Sequence, residues 1–165
     1  MAYLEQEVVC GEYSAPMQLK LLQIDMAHLP EPILDIGCGK QAFLVNYLRT
    51  MGLEAYGIDR NATASPFIYQ ADWFEFDLST KSWGSIISNI GFSNHFQHHH
   101  LRVNSDYLGY ALRYKQILQS MKAGGVFYYA PDLPFIEKHL DTAKFGIQKT
   151  AIKGTQFSRT KIVRL

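Results

Sequence analysis

Apolar residues fall into two kinds of pattern along the chain: short dense blocks, and longer stretches with three- and four-residue spacing. The blocks at 32–36, 54–58, 67–70, 83–89 and 125–130 are bounded by turn residues and read as strands buried on both faces. Between them, Lys40 to Thr50 reads as a helix with Phe43, Leu44, Tyr47 and Leu48 inward and Gly52 after its end. Tyr107, Tyr110, Ala111, Tyr114, Leu118 and Met121 form a second core-facing stripe, stopped at Gly124-Gly125. Ser14-Ala15-Pro16 places a cap and a proline at the start of a first helix, whose apolar positions Leu19, Leu22, Ile24, Met26 and Leu29 carry it to Pro30. Asp132 caps a short helix through Pro134, Ile136 and Leu140. The runs 145–152 and 157–165 flank Lys153-Gly154-Thr155 as a terminal hairpin. Helical links between the first five strands predict parallel pairing.

At 165 residues the chain has room for one core and none for a separate substrate domain. A single domain over 1–165 is expected, with residues 1–30 as an N-terminal helix and lid. A net charge of +1 supplies no field for a nucleic-acid backbone, so nucleic acid is not the expected partner. No apolar run approaches membrane-spanning length and the N-terminus carries no basic-then-apolar leader, so a cytoplasmic protein without membrane contact is expected. Cys10 and Cys38 make no Cys-x-x-Cys pair and read as two thiols. The oligomeric state is left open.

The chemistry concentrates in Ile33-Leu34-Asp35-Ile36-Gly37-Cys38-Gly39-Lys40-Gln41-Ala42 and in Tyr56-Gly57-Ile58-Asp59. This order is strand, glycine turn, helix, strand and acidic tip, half of a nucleoside-binding sheet. Gly37 and Gly39 allow a sharp turn and a close approach, and Asp59 is an acid positioned to accept ribose hydroxyls. Gly37, Gly39 and Ala42 also fit a dinucleotide fingerprint, in which the turn binds a pyrophosphate. Asp35 separates the two readings, because a carboxylate there repels a pyrophosphate and attracts an ammonium. The segment resembles the first motif of the class I S-adenosylmethionine-dependent methyltransferases, with Gln41 where a third glycine is frequent. That resemblance implies a Rossmann-like, doubly wound α/β fold: a mostly parallel seven-stranded sheet closed by a C-terminal antiparallel hairpin. It also implies S-adenosylmethionine as cofactor and S-adenosylhomocysteine as product.

On the same resemblance, the cofactor-binding candidates are Asp35, Gly37, Gly39, Asp59, Arg60, Asp72, Trp73 and Asn89. Arg60 and Asn61 flank adenine, Asp72-Trp73 meets its edge with Asp77 as a substitute acid, and Asn89 holds the methionine portion. Ser88-Asn89-Ile90-Gly91-Phe92 also resembles the Asn-Pro-Pro-Phe motif of amino-directed methyltransferases, with both prolines replaced. His95, His98 and His99 share one face if their segment is helical, but no acid or cysteine joins them at ligand spacing, so no metal site is expected. His95 is the candidate catalytic base. Tyr13 and Ser14 are lid candidates, and Tyr128, Tyr129 and Asp132 are candidates for the substrate pocket. A small molecule entering between the His95–Arg102 segment and the first helix is the expected acceptor. The alternatives are a nicotinamide-dependent oxidoreductase and a cofactor-binding sensor or partner subunit without turnover.

Overall fold

The computed structural model describes residues 13–100 and 106–165. Cys10, residues 1–12 of the expected helix and lid segment, and Arg102 lie outside the described residues, whereas the lid candidates Tyr13 and Ser14 lie within them. The apolar blocks assemble into a seven-stranded sheet ordered β3-β2-β1-β4-β5-β7-β6. Its strands are β1 Ile33–Ile36, β2 Ala55–Ile58, β3 Ile68–Tyr69, β4 Trp83–Asn89, β5 Met121–Ala130, β6 Phe145–Ala151 and β7 Ser158–Arg164. Strands β1 to β5 pair in parallel, and β7 runs antiparallel to both of its neighbours. The helices are α1 Ala15–Leu22, α2 Phe43–Thr50, α3 Phe92–His100, α4 Tyr107–Ser120 and α5 Pro134–Glu137. Among the described residues, no helix is long and apolar enough to cross a membrane.

Strand alternation sends successive side chains to opposite faces and so splits the core into two layers. Ile33, Ala55, Ile87 and Val126 pack with Leu22 of α1 and Leu44, Val45 and Leu48 of α2. On the other face Leu34, Ile86 and Phe127 pack with Phe92 and Phe96 of α3 and Tyr114 and Ile117 of α4. Gly57 makes the first layer fit, because a Cβ there would lie 2.8 Å from Cys38 Sγ and 2.9 Å from Val45 Cγ2.

Several expected elements come out differently, each for a local reason. Helix α1 stops at Leu22, where Gln23 turns left-handed at φ 51° and its N–H closes on Lys20. Asp25 then accepts from Ala27 N at 3.0 Å and winds Met26–His28 into a 3₁₀ turn, which carries the apolar pattern beyond the helix. Helix α2 starts after Ala42 at φ 48°, so its inward positions are Leu44, Val45 and Leu48, while Phe43 is 42% exposed. Gly124 and Gly125 do not stop α4. They lie inside β5, because pairing with β4 already begins at Met121 opposite Trp83. No helix joins β2 to β3, and only the 3₁₀ turn Leu78–Thr80 lies between β3 and β4.

Asp132 does not cap α5, which Leu133 precedes. Its carboxylate accepts from Ser158 N at 3.0 Å and pairs with Lys149 Nζ at 2.6 Å. The same ammonium lies 2.8 Å from Glu137 Oε1. Glu137 Oε2 accepts from Tyr129 Oη at 2.5 Å, Thr160 Oγ1 at 2.8 Å and Leu133 N at 2.9 Å. Tyr114 and Tyr129 share a 2.7 Å hydroxyl contact, and burial pushes both phenol pKa values up, which keeps them protonated. Glu137 thus ties α5, β5 and β7 together and draws in Lys149 of β6.

Removing this acceptor strands three buried donors at once. Glu137→Ala is expected to cost about 3–5 kcal/mol, and Lys149→Ala about 1–2 kcal/mol because that side chain is partly solvated. Urea unfolding followed by circular dichroism measures both, and equal losses would show that the ion pair dominates the network.

Candidate functional site

The glycine turn between β1 and α2 is built by bonds to the end of β2. Gly37 N and Cys38 N both donate to Ile58 O, at 2.8 and 3.0 Å, and Gly39 N donates to Asp59 Oδ2 at 3.0 Å. Gly37 and Gly39 take φ of 77° and 81°, which a side chain would oppose. The other Asp59 oxygen accepts from Asn61 N at 2.8 Å. These bonds fix the carboxylate's orientation and leave further lone pairs for a ligand. They also commit three consecutive turn N–H groups within the protein, the groups a dinucleotide site turns toward a pyrophosphate.

Beyond Asp59 lies a cavity of about 190 Å³, walled among others by Asp59, Arg60, Asp72, Trp73, His95 and Tyr110. Its β3–β4 side is a tightly wound loop. Asp72 Oδ1 accepts from Phe74 N at 2.7 Å, and the Asp72 carbonyl accepts from Glu75 N and Phe76 N. Arg113 of α4 is buried against this loop, donating to Trp73 O at 2.6 Å and to Phe76 O. The His95 ring meets Trp73 edge-on at 5.3 Å between centroids, and Tyr110 meets Phe74 in the same way at 4.7 Å. Burial, with smaller repulsion from His99, Arg60 and His98, holds the His95 pKa below its usual value.

On the α1/α2 face, two buried side chains of the sheet have atoms that no described residue satisfies, as does Gln18 of α1 at its Oε1. Asp35 is 2% exposed and its Oδ2 has no partner. Asn89 is 3% exposed, with both its Nδ2 and its Oδ1 unpartnered. Asp35 pairs with Ile87 in the sheet register, so alternation places Asn89 on the same face, one pleat further toward the carboxyl ends of the strands. Ile90 follows in the left-handed region at φ 58°, a strained conformation for a β-branched residue. Ile90 also lines a second, larger cavity of about 790 Å³ between α1 and the β6–β7 turn.

The sequence-derived candidates therefore divide. Asp59, Arg60, Asp72, Trp73 and His95 meet in one cavity wall, which Gly39 joins through its bond to Asp59 and Gly37 through its bond to Ile58. Asp35 and Asn89 sit behind the turn as the unsatisfied pair. Asp77 instead caps the 3₁₀ turn through Ser79 N at 2.9 Å. Tyr129 and Asp132 are held by the Glu137 and Lys149 network, and with Tyr128 they stand outside the walls of both cavities. The histidine segment is helical, yet His95 faces Trp73 and His99 stacks on Tyr110 at 4.8 Å. Among the described residues no group of three His, Cys, Asp or Glu side chains is arranged to hold a metal. The larger cavity is bordered by α1 and the β6–β7 turn, and His95 is not among its lining residues; Arg102, the far end of the entry expected from the sequence, lies outside the described residues. Tyr110 and Arg113 were not among the candidates. An arginine interrupting the apolar stripe of α4 is the signal that points to the second.

The strand order, the parallel crossover set and the terminal hairpin define the Rossmann-like fold of the class I methyltransferases. No family profile and no curated protein sequence matches the chain, but solved structures do. The N-methyltransferase NodS from Bradyrhizobium japonicum WM9, in complex with S-adenosylhomocysteine, is similar with a TM-score of 0.64 at 13% identity, over 90% of this chain and 86% of that one. The 1,6-didemethyltoxoflavin-N1-methyltransferase of Burkholderia thailandensis, with 1,6-didemethyltoxoflavin and S-adenosylhomocysteine bound, gives 0.55 at 16% identity, over 91% and 78%. A TehB-like methyltransferase from Corynebacterium glutamicum gives 0.55 at 16%, over 81% and 79%. At these identities the likeness establishes the fold.

Burial, with a smaller contribution from Asp59, raises the Asp35 pKa to about 7. An unfolded aspartate titrates near about 3.9, so the folded protein holds the extra proton between the two values. Stability from this residue is full below the lower value, falls as pH rises toward 7 and is level above it. The loss is on the order of 4 kcal/mol at full ionisation. Urea midpoints at pH 5 and pH 8 should show Asp35→Asn losing much less than the parent protein across that interval. Parallel losses would place the titration elsewhere.

Proposed function

We propose that the chain is an S-adenosylmethionine-dependent methyltransferase acting on a small-molecule acceptor. The observation that carries this reading is the pairing of a glycine turn with three amides already committed and a buried Asp35 behind it, whose Oδ2 has no partner among the described residues. Such a turn is poor at binding phosphate and suited to a ligand that brings a cation. The fold supports the same cofactor, since NodS and the toxoflavin enzyme were both solved with S-adenosylhomocysteine. The nicotinamide reading loses those three amides for its pyrophosphate and sets the Asp35 carboxyl behind it.

In this reading Asp59 accepts from the two ribose hydroxyls, and its bonds to Gly39 and Asn61 set its angle beforehand. Arg60, Asp72, Trp73 and Tyr110 enclose the base, with Arg113 positioning the loop that carries two of them. Asp35 takes the ammonium, and Asn89 offers both a donor and an acceptor to the amino-acid end. When bound, the cofactor would supply a methyl group on positive sulfur, a leaving group that keeps its electron pair, for transfer to a lone pair of the acceptor, whose proton would pass to a base or to water. The protein's share is to hold donor and acceptor in line, worth up to about 7–11 kcal/mol in favourable intramolecular cases. A general base adds less. His95 shares its wall with Asp59 and Asp72, which favours a nucleoside contact over proton removal.

Calorimetric titration with S-adenosylmethionine, S-adenosylhomocysteine and NAD tests the cofactor. The first two should bind, with affinity falling at least tenfold in Asp59→Ala; binding of NAD alone would overturn the assignment. His95→Ala should weaken cofactor binding and leave the maximal turnover rate unchanged. A drop in rate with cofactor affinity intact would instead make His95 the base.

A further inference from the structure

The larger cavity has a chemical character that the cofactor reading does not use. Its apolar lining includes Met17 of α1, Ile24 just after that helix and the buried Ile90 at the carboxyl end of β4. Its ionisable rim carries Lys20, Lys153 and Arg159, and no aspartate or glutamate among the described residues lines it. This one-signed rim belongs to a chain whose net charge is only +1. Lys20 and Lys153 are exposed and make no ion pair with a described residue. Arg159 is half-buried: one guanidinium nitrogen reaches Thr150 Oγ1 at 3.2 Å, while its buried Nε has no partner among the described residues. A guanidinium with an unused donor is a fork suited to a carboxylate or phosphate.

We infer that this cavity is the acceptor site, and that the acceptor is a small molecule with an apolar body and a compact oxyanion, carboxylate or phosphate, held by Arg159, Lys153 and Lys20. The inference rests on the methyltransferase reading. The cavity's position follows from Ile90, which lines it and directly follows Asn89 in the chain. An acceptor lying on Ile90 is therefore beside the amino-acid end of the cofactor, whereas the adenine-side cavity opens beyond Asp59. A volume of about 790 Å³ fits a molecule of metabolite size. The apolar lining takes the body and the cationic rim takes the head, so the reacting atom belongs on the part of the molecule facing Ile90. Neutral molecules of the same shape lose the rim's contribution, and cationic ones are repelled by it.

A labelling experiment tests this without the acceptor being identified beforehand. The protein is incubated with methyl-labelled S-adenosylmethionine and a metabolite extract of its own cells, and the labelled products are separated by anion exchange. Label retained on the anion exchanger is expected. Release of that label into the neutral fraction by phosphatase identifies a phosphate ester, and resistance identifies a carboxylate. For the labelled acceptor, Arg159→Gln combined with Lys153→Gln should raise KM roughly tenfold or more while the calorimetric affinity for S-adenosylhomocysteine stays unchanged. Label confined to neutral or cationic products, no transfer by a protein that binds the cofactor, or an unchanged KM would each overturn the inference. Failure to bind the cofactor at all would defeat the methyltransferase reading instead.

Discussion

The local architecture of the site depends on one set of bonds, in which the glycine turn after β1 closes onto the end of β2. Three successive amides donate to Ile58 and Asp59, and Gly57 leaves room for Cys38 to lie against β2. This closure sets where α2 begins, aims the Asp59 carboxylate and holds Asp35 beneath the turn without solvent. These three amides are no longer available to an anion. The same bonds that stabilise the fold therefore narrow the chemistry of the ligand.

In the proposed function the two cavities divide the labour of a two-substrate site. One is flanked by acids and aromatic rings around Asp59, and the other by cations and an apolar lining, with the unsatisfied amide of Asn89 between them along the chain. Ile90 stands at this junction in a backbone conformation that its side chain disfavours. Strain of this kind persists only where the surroundings determine it. Here the residues on both sides are fixed: Ile90 N donates to Ala130 O at 3.0 Å, and Phe92 N donates to Ser88 Oγ at 3.1 Å.

Much of this was legible in the sequence where the signal is local. The strand blocks, the glycine turn and the register of Asp59 with Gly39 are encoded within a few tens of residues, and the terminal hairpin follows from its turn. The capped start of α1 was legible; its end was not, because the apolar spacing continues through the Asp25-capped 3₁₀ turn. Gly124-Gly125 misled for a related reason, since a glycine pair marks a helix stop only when the sheet does not claim the residues before it. Within the site, Asp72 and Trp73 were found by their position after a strand. Arg113 was missed because its acceptors are backbone carbonyls about forty residues away, and Glu137 because its donors come from three separated segments. Neither set of partners leaves a spacing to read.

Lys149 has one further consequence. It sits on β6, the outermost strand beyond β7, whose far side exposes unpaired peptide groups to any other chain able to add a strand. Its ammonium is turned inward onto Glu137 and Asp132. A strand docking along this edge would have to cover a charge already committed to two buried carboxylates, with no route back to water. The ion pair that fastens the hairpin thus also raises the cost of adding a strand along this edge.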